Sequence, residues 1–262
     1  MAKVIEPKAF IVANTCVDRS EFTKALKHIG VQDGYPDTDN DAQYLIEGAG
    51  RLCYLSYSVD SGLNKNMTRD SPFNNEQYIR RQLIGNKHLS VLEHATVSIL
   101  FTNVSRVFTH ELIRHRPGMA YSQTSGRYVR EEEIRYYLPE CLRTPDAFSI
   151  VQEAFENAEI SVHKLEAITN IDAQPFNIKK ALTSAFRRII GFGHASHILV
   201  TANHRMWRYI IEQRSSPAAE EEQRVVMHQI APKLKAEFPA LYADMVEYRV
   251  EGSEIPSYRF KE

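Results

Sequence analysis

The stretch RHRPGMAYSQTSGRY, residues 114–128, decides how the middle of the chain is read. Upstream of it, Val107, Phe108, Leu112 and Ile113 recur at helical spacing over 104–115. Pro117-Gly118 breaks that pattern. Arg114, His115 and Arg116 therefore sit on a helix C-terminal turn, and residues 117–124 read as a loop, with the small polar segment Ser122 to Gly126 in and just after it. Residues 126–138 read as extended. The stretch gathers three cationic or titratable side chains beside several hydroxyls, and another arginine, Arg127, follows.

Working outward, ATVSILF (95–101) alternates, with Val97, Ile99 and Phe101 on one side and Thr96 and Ser98 on the other, as a half-buried strand does. AFIVAN (9–14) and HASHILVTAN (194–203) also read as strands. Helices are predicted over 20–29, 42–57, 75–86, 145–169, 175–190, 203–213 and 217–236. The turn GYPDTDND (34–41) supplies caps for the second of these. Residues 60–75 are rich in Gly, Asn and Ser and read as a mobile loop. No repeat or linker divides the chain. The expectation is one α+β domain over 1–262, a small antiparallel sheet flanked by long helices.

Composition narrows the function. The chain has 262 residues, 43% hydrophobic and 25% charged, and 32 basic against 33 acidic side chains give a net charge of -1. Neither a nucleic acid nor a membrane is favoured by such a field. No stretch has the apolar length of a membrane helix. Three widely spaced cysteines, with no signal-peptide pattern at the N-terminus, point to a reducing compartment and a cytoplasmic protein.

HELIRH (110–115) resembles a zinc-protease motif, but its histidines are five apart, roughly 140° around a helix, and cannot share a metal on one face. No metal site is expected. None of Cys16, Cys53 and Cys141 has a visible base beside it, so all three are expected to be small buried hydrophobes. There is no Gly-rich dinucleotide fingerprint and no P-loop. What remains is arginine: Arg114, Arg116 and Arg127, then Arg187-Arg188, then Arg205, Arg208 and Arg214. Guanidinium forks with Ser125 hydroxyl and Gly126 amide donors suit phosphate. The residues alone lead to a phosphorylated, aromatic ligand. A nucleic-acid module using Tyr121, Tyr128 and Trp207 stays open beside it, as do plain surface salt bridges.

Arg114-His115-Arg116, eight residues, and then Ser125-Gly126-Arg127-Tyr128 resemble the signature of the flavin-dependent thymidylate synthases, where seven residues separate RHR from Ser. His88, Ser90, Glu93 and His94 match that family's upstream His-x-(Ser/Thr)-x-x-Glu-His segment. Asn203, Arg205, Arg187 and Arg214 match downstream positions. The similarity covers about residues 85–240. It implies that family's fold, a homotetramer with FAD at subunit interfaces, and conversion of dUMP to dTMP with methylenetetrahydrofolate and NADPH. By position, it assigns Ser90, Arg114, His115, Arg116, Gln123, Asn203, His204, Arg205 and Tyr209 to FAD. The nucleotide is assigned to Glu111, Arg114, Gln123, Ser125, Gly126, Arg127 and Arg187. Arg214 would sit against the pyrimidine as the catalytic residue.

The chain departs from the pattern in the longer loop, in Glu111 for Gln, Ile190-Gly191 for Leu-Pro, Tyr209 for His or Asn, and Ala218 for His. A carboxylate at Glu111 would repel phosphate unless an arginine paired with it. It could also accept from an extra sugar hydroxyl, so the same chemistry on UMP or a modified pyrimidine nucleotide is the alternative, and a non-catalytic nucleotide- or RNA-binding relative is another.

Overall fold

The computed structural model describes residues 1–59, 62–63 and 73–261. The segment 64–72, most of the loop expected over 60–75, lies outside them. The principal strands are β1 (Lys8–Asn14), β2 (Thr96–Ser105), β3 (Met119–Gln123), β4 (Ala195–Asn203), β5 (Met245–Tyr248) and β6 (Ser257–Phe260). The principal helices are α1 (Arg19–His28), α2 (Asp41–Tyr54), α3 (Asn75–Arg80, continued by a π-helical turn Arg81–Gly85), α4 (Arg106–Leu112), α5 (Pro145–Thr169), α6 (Phe176–Phe186), α7 (His204–Ser215) and α8 (Glu221–Glu237). None of the described helices is long and apolar enough to cross a membrane.

β1, β2, β4 and β3 form, in that order, an antiparallel sheet. The alternation in β2 does what the sequence required: Val97, Ile99 and Phe101 are buried, and Ile198, Val200 and Ala202 of β4 share their side. That face carries α7, through Trp207, Ile210 and Ile211, and α8, through Val226, Met227, Ile230 and Leu234. The Trp207 indole donates to the carbonyl of Val97 at 3.0 Å. The β5–β6 hairpin, which sequence reading missed, closes the end of this core through Met245 and Tyr258.

Two strand-to-helix junctions set up the site. Ser105 ends β2 and caps α4, its hydroxyl accepting from the Phe108 amide at 3.0 Å. Asn203 ends β4 and caps α7, its side chain accepting from the Met206 amide at 2.9 Å. Because β2 and β4 are antiparallel, with Ser105 opposite Ala195 and Thr96 opposite Asn203, the two helices start at opposite ends of the sheet.

The quoted stretch is the main correction. Residues 119–123 are not loop but the edge strand β3, paired with β4 from Met119↔Ala202 to Gln123↔Ile198. The segment 126–138, expected to be extended, pairs only at Arg135–Tyr136, which runs parallel to Lys3–Val4. α4 is shorter than predicted, since residues 104 and 105 belong to β2.

Candidate active site

β3 splits the arginine-rich stretch into two. Its four residue steps separate the ends by about 13 Å. Residues 114–118 lie at the Asn203 end of the sheet, and Gln123 to Gly126 lie at the Ser105 end.

At the first end, Glu93, Arg114, His115, Arg116, Pro117, Gly118, Asn203, Arg205, Met206 and Tyr209 line an open groove of about 610 Å³. Arg205 ion-pairs with Glu93, and Tyr209 meets the His115 ring edge-on at 5.7 Å. Gly118 has φ +64, and a Cβ there would lie 2.8 Å from the Asn203 amide nitrogen. The Pro-Gly break therefore brings the loop down onto the cap of α7. Tyr121 ties the chain after the Pro-Gly break to the end of α4, its single O–H shared between the carbonyls of Leu112 (3.1 Å) and His115.

Arg214, from the last turn of α7, reaches the same helix end. Its Nε donates to Nε2 of His115 at 2.8 Å, its Nη1 to Oε2 of Glu111 at 3.0 Å and its Nη2 to the Glu111 carbonyl at 2.9 Å. Glu111 also faces Arg114 at 3.6 Å. Its charge is thus matched by two arginines. Burial, then the Arg214 charge, holds the His115 imidazole below its ordinary pKa, which suits an Nε2 acceptor. His110 instead packs edge-on to Phe192 at 6.0 Å, so the two histidines of HELIRH face different neighbours.

At the second end, Arg106, Gly126, Arg187, Arg188, Ile190, Gly191, Phe192 and His194 line a hollow of about 320 Å³. Arg106 was not singled out from the sequence. It is the first residue of α4, and the tertiary fold brings it into one hollow with Arg187, which opens a 3-10 turn after α6. Burial, then the Arg187 charge, lowers the Arg106 pKa below its usual value. Two guanidiniums lining one hollow have the chemistry to meet an anion. A Cβ on Gly126 would lie 3.3 Å from the Arg187 side chain.

Other expected residues are placed as follows. Gln123 donates to Thr109 Oγ1 at 2.8 Å. The Ser125 hydroxyl accepts from the Arg127 amide at 3.3 Å, and the Arg127 side chain is exposed. Ser90 shares a 3-10 turn with Glu93 but lines a neighbouring hollow with Tyr54 and His88.

His204 is a correction. Its side chain is fully buried between Phe238 and Tyr242, it bonds the Tyr242 hydroxyl at 3.1 Å, and burial pushes its pKa down to about 3. It cannot touch a cofactor. The cysteines are a second correction: Cys16, Cys53 and Cys141 are exposed, because they lie on a loop, an outer helix face and a short 3-10 turn.

The family model described as "Thymidylate synthase complementing protein" matches residues 36–240. The flavin-dependent thymidylate synthase of Mycobacterium tuberculosis (strain H37Rv) is 36% identical over 217 residues, 80% of this chain and 83% of that protein. The one from Mycobacterium marinum is 35% identical over 226 residues, 83% of this chain and 86% of that protein. Among solved structures, thymidylate synthase X from Helicobacter pylori, crystallised with FAD and dUMP, aligns with a TM-score of 0.55 at 21% identity, covering 77% of this chain and 93% of that one. The UMP/dUMP methylase PolB from Streptomyces cacaoi, bound with 5-Br UMP, aligns with a TM-score of 0.59 at 13% identity, covering 92% and 95%. The last two show a shared fold, while the matched family model and the mycobacterial identity carry more: the chain belongs to the flavin-dependent thymidylate synthase family.

Proposed function

We propose that the chain methylates dUMP at C5 to give dTMP, with FAD as its flavin, methylenetetrahydrofolate as one-carbon donor and NADPH as reductant. The observation that carries this reading is Arg214, held by three hydrogen bonds to His115 and Glu111, with His115 itself lining a cationic groove. Three of its five N–H groups are committed, which leaves two for a ligand.

The groove suits FAD by its donor set. Arg114, Arg116 and Arg205 can meet a diphosphate, with Asn203 and Tyr209 supplying an amide and an aromatic edge. When bound, flavin supplies the hydride that reduces the transferred carbon to a methyl group. The Arg106–Arg187 pair, with the Gly126 backbone, suits the phosphate of the nucleotide. Arg214 against a uracil carbonyl would favour negative charge spreading into the ring, which makes C5 nucleophilic. The guanidinium acts as a fixed charge and not as a proton donor. A thiol adduct is not needed for this chemistry.

Self-association is part of the proposal. Ile150, Ile168, Phe176 and Phe192, on and beside α5 and α6, are each more than 60% exposed. Large apolar side chains in such a state suit an interface between copies, as in a homotetramer with FAD between subunits.

The test is direct. The purified protein should show flavin absorbance or take up FAD. It should then form dTMP from dUMP, methylenetetrahydrofolate and NADPH. A parallel incubation with UMP reads the sugar preference. Turnover of UMP alone would reassign the substrate, and a protein that neither holds nor takes up flavin would defeat the reading.

A further inference from the structure

The residue before Arg106 is held by a group on a distant part of the chain. Glu222, in the first turn of α8, is 1% exposed. Its carboxylate accepts from the Ser105 backbone amide at 2.7 Å and from the Ser105 hydroxyl. The same hydroxyl accepts from the Phe108 amide. The next residue, Gln223, is also buried and donates to the Phe108 carbonyl at 2.8 Å. Two consecutive residues of α8 thus grip the first turn of α4 at both ends.

A helix cap needs only Ser105. A buried carboxylate behind it is an added cost. Burial pushes Glu222 up to about 7, against the two Ser105 hydrogen bonds, and Glu220 and Glu221 add repulsion. The Gln223 Oε1 atom has no partner among the described residues. Next to the gripped Ser105 stands Arg106, which donates its own amide to the His194 carbonyl at 2.9 Å and its Nη2 to the Thr124 carbonyl at 3.2 Å.

We propose that Glu222 is a positioning residue for the anion site, fixing through Ser105 the first turn of α4 and with it the approach of Arg106 to Arg187 and Gly126. This rests on the reading that the arginine pair takes the phosphate of the nucleotide.

The test compares inhibition or dissociation constants of the flavin-loaded enzyme for dUMP and for deoxyuridine, which lacks the phosphate. R106Q should lower the preference for dUMP at least tenfold. E222Q should lower it several-fold, leave deoxyuridine binding within about twofold, and add nothing further in the R106Q background. S105A should act like E222Q, and S105T, which restores the hydroxyl, should recover the preference. S105A and S105T carry the test if E222Q does not fold. A wild-type preference in E222Q and S105A, with R106Q impaired, would overturn the positioning role alone. An unchanged preference in R106Q would remove the phosphate reading and this inference with it.

Discussion

Arg214 donates from Nε to Nε2 of His115 at 2.8 Å, so two side chains 99 positions apart in sequence hold each other at the junction of α4 and α7. The contact fixes the guanidinium plane, because Glu111 takes both of the other nitrogens. R214A should therefore keep the fold and lose turnover by at least ~10²-fold, the order seen when one transition-state donor is removed. R214K restores a charge but not the three-way fork, and should recover only a small part. Steady-state kcat, with flavin content and Tm as controls, checks this. Near wild-type kcat in R214A would place the pyrimidine elsewhere.

The same contact has a pH signature. His115 is held below its ordinary pKa first by burial and then by Arg214, while Glu111 opposes. Protonation would set an N–H against the Arg214 Nε–H. The unfolded chain then binds more protons than the folded one between the folded and unfolded pKa values. The neutral imidazole's contribution is complete above the unfolded value and is lost as pH falls through the folded one. E111Q removes the opposing charge, so the His115 titration should move to still lower pH. An NMR titration of the ring in wild type and E111Q reads this, and an upward shift would contradict it.

Gly118 gives a stability prediction. A G118A change adds a Cβ at φ +64, only 2.8 Å from the Asn203 amide nitrogen. Backbone strain alone costs about 1–2 kcal/mol, and Asn203 would also have to leave its cap on α7. The expected result is a Tm several degrees lower together with weaker FAD binding. A variant with unchanged Tm and flavin affinity would show that the loop does not rest on Asn203 in solution.

These sites were unevenly legible in the sequence. The helix expected over 145–169 is present, although Glu159 is its one buried residue, and the period-two run of β2 states its burial directly and emerged as read. β3 did not, because an edge strand needs little apolar surface: Met119, Tyr121 and Gln123 are half-buried, while Ala120 and Ser122 are exposed. His204 was readable. It shares a face with Trp207, Arg208 and Ile211 at i, i+3, i+4 and i+7, all buried, whereas Arg205 and Tyr209 lie on the exposed side. Arg106 carried no local signal, since a charged residue opening a helix is ordinary: the pairing of β4 with β2 and β3 brings it His194 and Thr124, and the turn after α6 brings it Arg187.

Arg208 supports the site from behind, and its partner yields the sharpest stability test. It makes a buried two-pronged ion pair with Asp244, at 2.7 and 2.6 Å, donates to the Leu241 carbonyl at 2.6 Å, and stacks 3.9 Å from the Phe260 ring centroid. These contacts clamp α7 to the segment leading into β5 and to β6. α7 carries Arg205, Tyr209 and Arg214 on its other surfaces, so looseness here reaches the groove. D244A leaves a guanidinium buried with one carbonyl, which should cost about 3–5 kcal/mol. A double change to R208M and D244L removes both charges and should recover most of that loss, because no ion is left stranded. Thermal or urea unfolding of the three proteins measures it. If the double variant is no more stable than D244A, the pair's value lies in orienting α7 and not in charge balance, and kcat should then fall in both variants alike.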